Sequence, residues 1–271
     1  VIAPLLSIAV IAVYLWAVRR YRELYPARGF EAWRVLAFVF GFVCFGLALS
    51  APVDVLAERS FAAHMVQHVV LMLIAPPLVL LGAPLLLAVA VPRRDSARVV
   101  AGVASHPVMH AVFAPMVGWV LFVGVLWGVH FSPLYEGALE SGWVHVLEHV
   151  LFITAAFLFW LPVVQVGFVP RPVSFPARML YLVLMFPQGA FLGLAIYGSR
   201  HVLYAHYAAV LGAGAMADQQ NGGAIMWIAG GFIMFAAFML VAASWARSER
   251  TPLDMRADAR YSGSFDKLRM T

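Results

Sequence analysis

The chain has 271 residues, of which 63% are hydrophobic and only 11% charged. A water-soluble domain carries roughly 25% charged residues, so an ordinary soluble fold, a disordered chain and a coiled coil are all excluded, and an integral membrane protein is left. The formal net charge of +5 would suit nucleic acid in a soluble protein, but arginine placement explains it here and no nucleic-acid partner is expected.

A spanning helix needs roughly 17–25 mostly apolar residues. Seven stretches qualify: 1–18, 34–51, 61–91, 107–129, 143–165, 177–197 and 224–246. The first has no basic segment ahead of it and runs into Arg19-Arg20-Tyr21-Arg22, a stop-transfer flank, so it is expected to remain as a membrane helix rather than be cleaved. The chain opens on Val, and its true beginning is expected to lie upstream. The third stretch is too long for one straight span, since about 31 residues at 1.5 Å each reach about 46 Å against a hydrocarbon core of about 30 Å. Pro76-Pro77 in its middle predicts a kinked or broken helix there.

The basic residues orient the chain. Segments 19–34, 92–106, 166–178 and 247–271 together hold sixteen Lys/Arg, while the alternate loops 51–60, 130–142 and 198–223 hold two. This positive-inside bias predicts an all-α integral membrane fold: a seven-transmembrane-helix bundle with its N-terminus outside and its C-terminus cytoplasmic. Residues 1–246 form the membrane domain, and 247–271 form a polar cytoplasmic tail, expected to be poorly ordered. A retinal Schiff base needs a lysine inside the bundle, and the one lysine, Lys267, lies in that tail. The single cysteine, Cys44, excludes an internal disulfide and a Cys-x-x-Cys motif.

Nine histidines are many for so apolar a chain. On the predicted topology His64 and His68 begin the third helix, His130 ends the fourth, and His145 and His149 begin the fifth, all near the outer surface. His201 and His206 occupy the outer loop between the last two helices, and His106 and His110 face the cytoplasm. His64/His68 and His145/His149 are i,i+4 pairs, stacked on one helix face and able to bind one metal through ring nitrogens at about 2.0–2.1 Å. Glu148 adds a carboxylate, and Met65, Met72 and Met226 add soft thioethers. Imidazole with thioether suits copper, whereas imidazole with carboxylate suits zinc or iron. Haem with one axial histidine from each helix is a rival, and the spacing of four leaves room for one haem at most. His145-x-x-Glu148-His149 also matches the inverted zincin pattern, with Glu148 as general base. Asp218 and Gln219-Gln220 are candidates for orienting the imidazoles, or for a solvated loop. Gly189-x-x-x-Gly193 predicts close helix packing, and Gly222-Gly223 and Gly230-Gly231 either the same or a bend in the last helix.

Four stretches taken together resemble the CtaG family of caa3-type cytochrome c oxidase assembly factors: "FAAHMVQHVVLMLIAPPLVLLGAP" at 61–84, "LWGVHFSPLYEGAL" at 126–139, "VHVLEHVLFITAAFLFWLPV" at 144–163 and "DQQNGGAIMW" at 218–227. The resemblance implies seven membrane helices and a part in maturing haem-copper oxidases through copper delivery, not catalysis. It sets His64, His68, His130, His145 and His149 on the family's histidines, Glu148 and Asp218 on its acidic positions, and Met226 and Trp227 at the outer start of the seventh helix. Asn221 departs from the small apolar residue expected there. Another assembly factor of the same name has one membrane helix and a Cys-x-Cys motif; this chain has neither, so that thiolate mechanism is not implied.

The expectation is therefore a copper site near the outer surface. Its ligands would be His64, His68, His145 and His149, with His130 as a fifth and Met65, Met72, Met226 and Glu148 exchanging with them. The expected partners are cytochrome c oxidase subunits or a periplasmic copper carrier, within the bilayer of a bacterial plasma membrane. A haem-binding electron-transfer subunit and a zinc-dependent intramembrane peptidase are the alternatives. A transporter would also use a broken helix, but no inverted counterpart of the third span is present.

Overall fold

The computed structural model describes residues 2–92, 102, 106–167 and 171–268. Arg93, Arg94 and Arg98, which help orient the chain by sequence, lie outside these residues. Among the described residues every regular element is helical. In chain order they are α1 (Ile2–Leu24), α2 (Ala32–Ala48), α3 (Ala51–Arg59), α4 (Phe61–Val69), a π-turn (Val70–Ile74), α5 (Ala75–Leu81), α6 (Pro84–Ala90), α7 (Pro107–Val112), α8 (Pro115–His130), α9 (Pro133–Glu140), α10 (Gly142–Trp160), α11 (Phe175–Tyr197), α12 (Ala205–Leu211), a 3-10 turn (Gly212–Gly214) and α13 (Ala215–Leu268).

Five helical runs are long and apolar enough to cross a membrane, and seven if the bent pairs α2–α3 and α8–α9 each count as one span. The bends, 54° and 67°, fall where Pro52 and Pro133 open the second helix of each pair. They turn α3 and α9 across one end of the bundle, together with α12. At the other end the Tyr25 hydroxyl donates to Ala90 O (3.3 Å), which places the arginine-rich end of α1 opposite the start of α4.

The third span differs from the sequence expectation in where it breaks. Phe61–Leu81 runs through Pro76-Pro77 as one span, and the break comes at Gly82-Ala83, where Ala83 takes the left-handed conformation (φ 51°) before α6 begins. The prolines lack N–H groups and their rings crowd the carbonyls four residues back. The π-turn widens the helix just ahead of them, with Ala75 N–H bonding Val70 O. The Met72 carbonyl, which Pro76 cannot serve, accepts the Trp160 Nε1–H of α10 at 2.8 Å. A neighbouring helix thus supplies the missing donor, as a backbone group inside a membrane requires.

Two apolar clusters hold the bundle. The larger gathers Phe61, Phe122, Phe152, Phe159 and Leu192 from α4, α8, α10 and α11, and the smaller joins α1, α2 and α5 through Tyr14, Phe38 and Val79. Helices α11 and α13 cross at Gly193 and Gly223, where a Cβ on either would stand 2.6 or 2.7 Å from the other's carbonyl oxygen. Gly189 does not share that role, because nothing lies within 4 Å of where its Cβ would be. Helix α13 runs on to Leu268, through the segment read from the sequence as a polar tail.

Candidate metal centre

The N-terminal end of α4 is set by its cap. Ser60 Oγ accepts from Ala63 N (3.1 Å) and donates to Asp218 Oδ1 (2.7 Å), while Asp218 Oδ2 accepts from the Phe61 and Ala62 amides at 2.6 and 3.4 Å. A carboxylate at a helix N-terminus satisfies amides that have no partner within the helix and complements the helix dipole. Asp218 is therefore the clamp that joins α13 to α4, rather than a member of the histidine cluster. Gln67 fixes α4 from the other side, donating to Ala48 O (2.7 Å) and Asp54 Oδ1 (2.8 Å) across the α2–α3 bend.

So held, α4 presents His64 and His68 to His145, Glu148 and His149 on α10. Ring centroids lie 4.3 Å apart within the first pair and 4.2 Å within the second; across the helices His64–His145 is 5.6 Å and His68–His149 is 6.1 Å. His130, at the end of α8, stands 5.9 Å from His68. Glu148 reaches between the α4 pair, with Oε2 at 3.7 Å from His64 Nε2 and Oε1 at 3.8 Å from His68 Nε2. His64, His68, Glu148 and His149 each offer an atom within 4.8 Å of all the others. Ligands of one ion at about 2.0–2.1 Å stand no more than about 4.2 Å apart, so this group needs only a small closure to share a metal.

The hydrogen bonds leave this centre open inward. Tyr207 donates its hydroxyl proton to Ala57 O at 2.7 Å. Its oxygen therefore accepts from His64 Nδ1 at 2.9 Å, with the Tyr135 hydroxyl 3.1 Å from the same nitrogen. That assigns the proton of His64 to Nδ1 and turns a lone pair on Nε2 toward Glu148. His130 repeats the logic, since Nδ1 can only donate to Leu126 O (2.7 Å) and Nε2 keeps a lone pair. Nε2 of His64, His68, His130, His145 and His149 and both oxygens of Glu148 are buried without a protein partner. Buried polar atoms are normally paired, and leaving so many bare inside a membrane is costly. A bound cation would satisfy them together, and the donor set of imidazole nitrogens around one carboxylate fits a transition metal. Orienting bonds on the far ring nitrogen are the usual companions of such ligands.

The other sequence candidates separate from this group. His145 sits beside it, half-buried and outside the closest four. Met65, Met72 and Met226 line a cavity whose wall also includes His68 and His130. His206 Nε2 lies 2.8 Å from Glu58 O, and His201 is exposed. Gln219 binds the Leu203 amide (2.7 Å) and the carbonyls of Ile196 and His201, pinning the loop between α11 and α12 instead of orienting an imidazole. Asn221 is exposed, so it disturbs no packing. On the other face, exposed His106 caps α7 by accepting from Val108 N (3.3 Å), while the His110 side chain lies outside the described residues. Sequence reasoning missed Tyr135 and Tyr207. The available signal was tyrosine in the segments beside the histidines.

The family model described as cytochrome c oxidase caa3 assembly factor (Caa3_CtaG) matches residues 12–248, and the chain belongs to that family. Among curated proteins it is 27% identical to Uncharacterized protein ML1998 of Mycobacterium leprae (strain TN), over 96% of this chain and 41% of the relative. It is 25% identical to Uncharacterized protein Mb0105 of Mycobacterium bovis, over 84% of this chain and 37% of the relative. The chain thus spans about two-fifths of the length of these curated relatives. No solved structure matches it.

Proposed function

We propose that this caa3 assembly-factor family member binds copper at the His64–His68–Glu148–His149 centre and supplies it at the outer face of a bacterial plasma membrane to a maturing haem-copper cytochrome c oxidase. The observation that carries the reading is the convergence of unpartnered imidazole nitrogens and both Glu148 oxygens in one buried group. His145 and His130 stand beside it as further imidazoles. A site without thiolates favours release over storage, which suits a carrier more than a catalyst. In this reading both bent pairs count as spans, giving seven helices, an outside N-terminus and a cytoplasmic C-terminus. The partners are oxidase subunits or a periplasmic copper carrier.

This assignment gives His64 and His68 a role, which a peptidase built on His145-x-x-Glu148-His149 would leave without one. The test is copper stoichiometry of the purified chain, together with oxidase activity in cells that depend on it. The H64A/H149A variant is expected to lose copper and to leave the oxidase copper-deficient while still inserting in the membrane. Copper retention and normal oxidase in that variant would overturn the reading.

A further inference from the structure

Below the histidine centre lies a cavity of about 60 Å³. Its wall carries Met65, Met72, Met185, Met226 and Met234, from α4, the π-turn, α11 and α13. All five side chains are at most 9% exposed. The chain has 12 methionines, so a large share of its thioethers faces one small space. Methionine commonly serves as an adaptable filler of apolar cores, and a filler would close the space. Here the space remains, because the helices around it present Gly189, Gly230 and Gly231 to it. None of the three is forced by helix contact, since a Cβ would meet nothing within 4 Å at Gly189 and only ordinary contacts at 3.6 and 4.0 Å at the other two.

The size and the donors narrow the occupant. Sites for organic ligands run to roughly 300–1,000 Å³, so haem, quinone and lipid are too large for this cavity. Thioether sulfur carries no charge and selects soft cations, while zinc, magnesium and calcium prefer nitrogen or oxygen. Met226 and Met234 are separated by about 12 Å along α13, so the thioethers extend inward from the level of His68 toward the middle of the membrane. At the upper end His68 and His130 belong to the same wall, with ring nitrogens bare of protein partners.

We propose that this cavity is a second metal site, distinct from the histidine–glutamate centre, which holds one Cu(I) ion on methionine sulfur. It rests on the copper reading of that centre only for its choice of metal. Two sites sharing a wall at His68 form a graded pair: a soft, uncharged site that accepts only the monovalent ion, and a harder imidazole–carboxylate site at the outer face.

The experiment is anaerobic titration of the full chain in detergent with Cu(I) against a competing chelator, with copper X-ray absorption on the loaded samples. The wild type is expected to bind two Cu(I), with both sulfur and nitrogen scattering. The M65L/M72L/M185L/M226L/M234L variant preserves volume and apolarity, and is expected to bind one ion with nitrogen scattering alone. H64A/H149A is expected to keep the sulfur-bound ion, which separates this proposal from the function proposed for the histidines. A wild type that binds one ion through nitrogen only, or sulfur scattering that survives the methionine replacements, would overturn the second site and leave the histidine centre standing. No copper in wild type would overturn both. Should the methionine variant fold poorly, Gly189→Leu fills the cavity from its open side, and it too must abolish the sulfur signal.

Discussion

Glu148 sets the charge balance of the centre. Its two oxygens are fully buried and face His64 and His68 at 3.7 and 3.8 Å, with no hydrogen-bond donor from the protein. Without a cation this is an unfavourable arrangement, and with one it becomes the negative partner that offsets the ion's charge. Glu148→Gln therefore has opposite effects on the two states. The metal-free protein is expected to melt at the same or a higher temperature, and the rise in Tm on adding copper is expected to shrink, because stabilisation by a ligand follows its affinity for the folded state. A merely structural glutamate would show the reverse in the metal-free protein. Tyr207 is a positioning residue, acting through His64 Nδ1. Tyr207→Phe is expected to weaken copper binding by about 10–100-fold in a chelator competition, the usual effect of losing an orienting hydrogen bond behind a ligand. An unchanged affinity would show that the tautomer of His64 is set elsewhere.

At the scale of elements, the third span shows how a helix carries two prolines through a membrane. The π-turn at Val70–Ile74 and the Trp160–Met72 hydrogen bond work together. Trp160→Phe keeps an aromatic ring but leaves the Met72 carbonyl without a donor, at a cost of about 1–3 kcal/mol. At about 2–4 °C per kcal/mol the expected result is a Tm several degrees lower, read by thermal unfolding in detergent. A Tm equal to wild type would mean the carbonyl finds another partner. This span also shows the reach of sequence reasoning. The i,i+4 spacing of His64/His68 and His145/His149 was legible, because helix geometry alone decides which side chains share a face. That Pro76-Pro77 disturbs the helix was legible too, but the form was not. Whether prolines kink a helix or are absorbed depends on a donor arriving from α10, which is a long-range fact. The partner of Asp218 was not legible for a similar reason, since a carboxylate in that segment looks the same in sequence whether it orients an imidazole or binds the amides of another helix.

For the whole molecule, the crossing of α11 and α13 at Gly193 and Gly223 sets how closely the last helix approaches the rest. A Cβ on Gly223 would meet Gly193 O at 2.7 Å and Tyr197 N at 2.8 Å, both backbone atoms that cannot rotate aside. Gly223→Ala is therefore expected to separate the two helices and to lower the yield of monodisperse protein sharply in size-exclusion chromatography. Gly189→Ala, four residues along α11 from Gly193, is expected to behave as wild type because its Cβ meets nothing within 4 Å. Equal yields from both variants would mean the crossing is not tight. The displacement of α13 in Gly223→Ala also pulls on Asp218 and so on the cap of α4, which couples the crossing to the histidine end of the bundle.

The bond between His64 and Tyr207 joins residues 143 positions apart in the chain. A ribosome adding about 5–20 residues per second delivers Tyr207 roughly 7–30 s after His64 has been made. Throughout that interval His64 Nδ1 lacks its Tyr207 acceptor, and Asp218, still later in the chain, has not yet clamped the helix that carries it. The centre therefore acquires its oriented donor set only after the segment that carries Tyr207 and Asp218 has been made. A chain whose synthesis has stopped short of Tyr207 is therefore expected to be a poor trap for a metal.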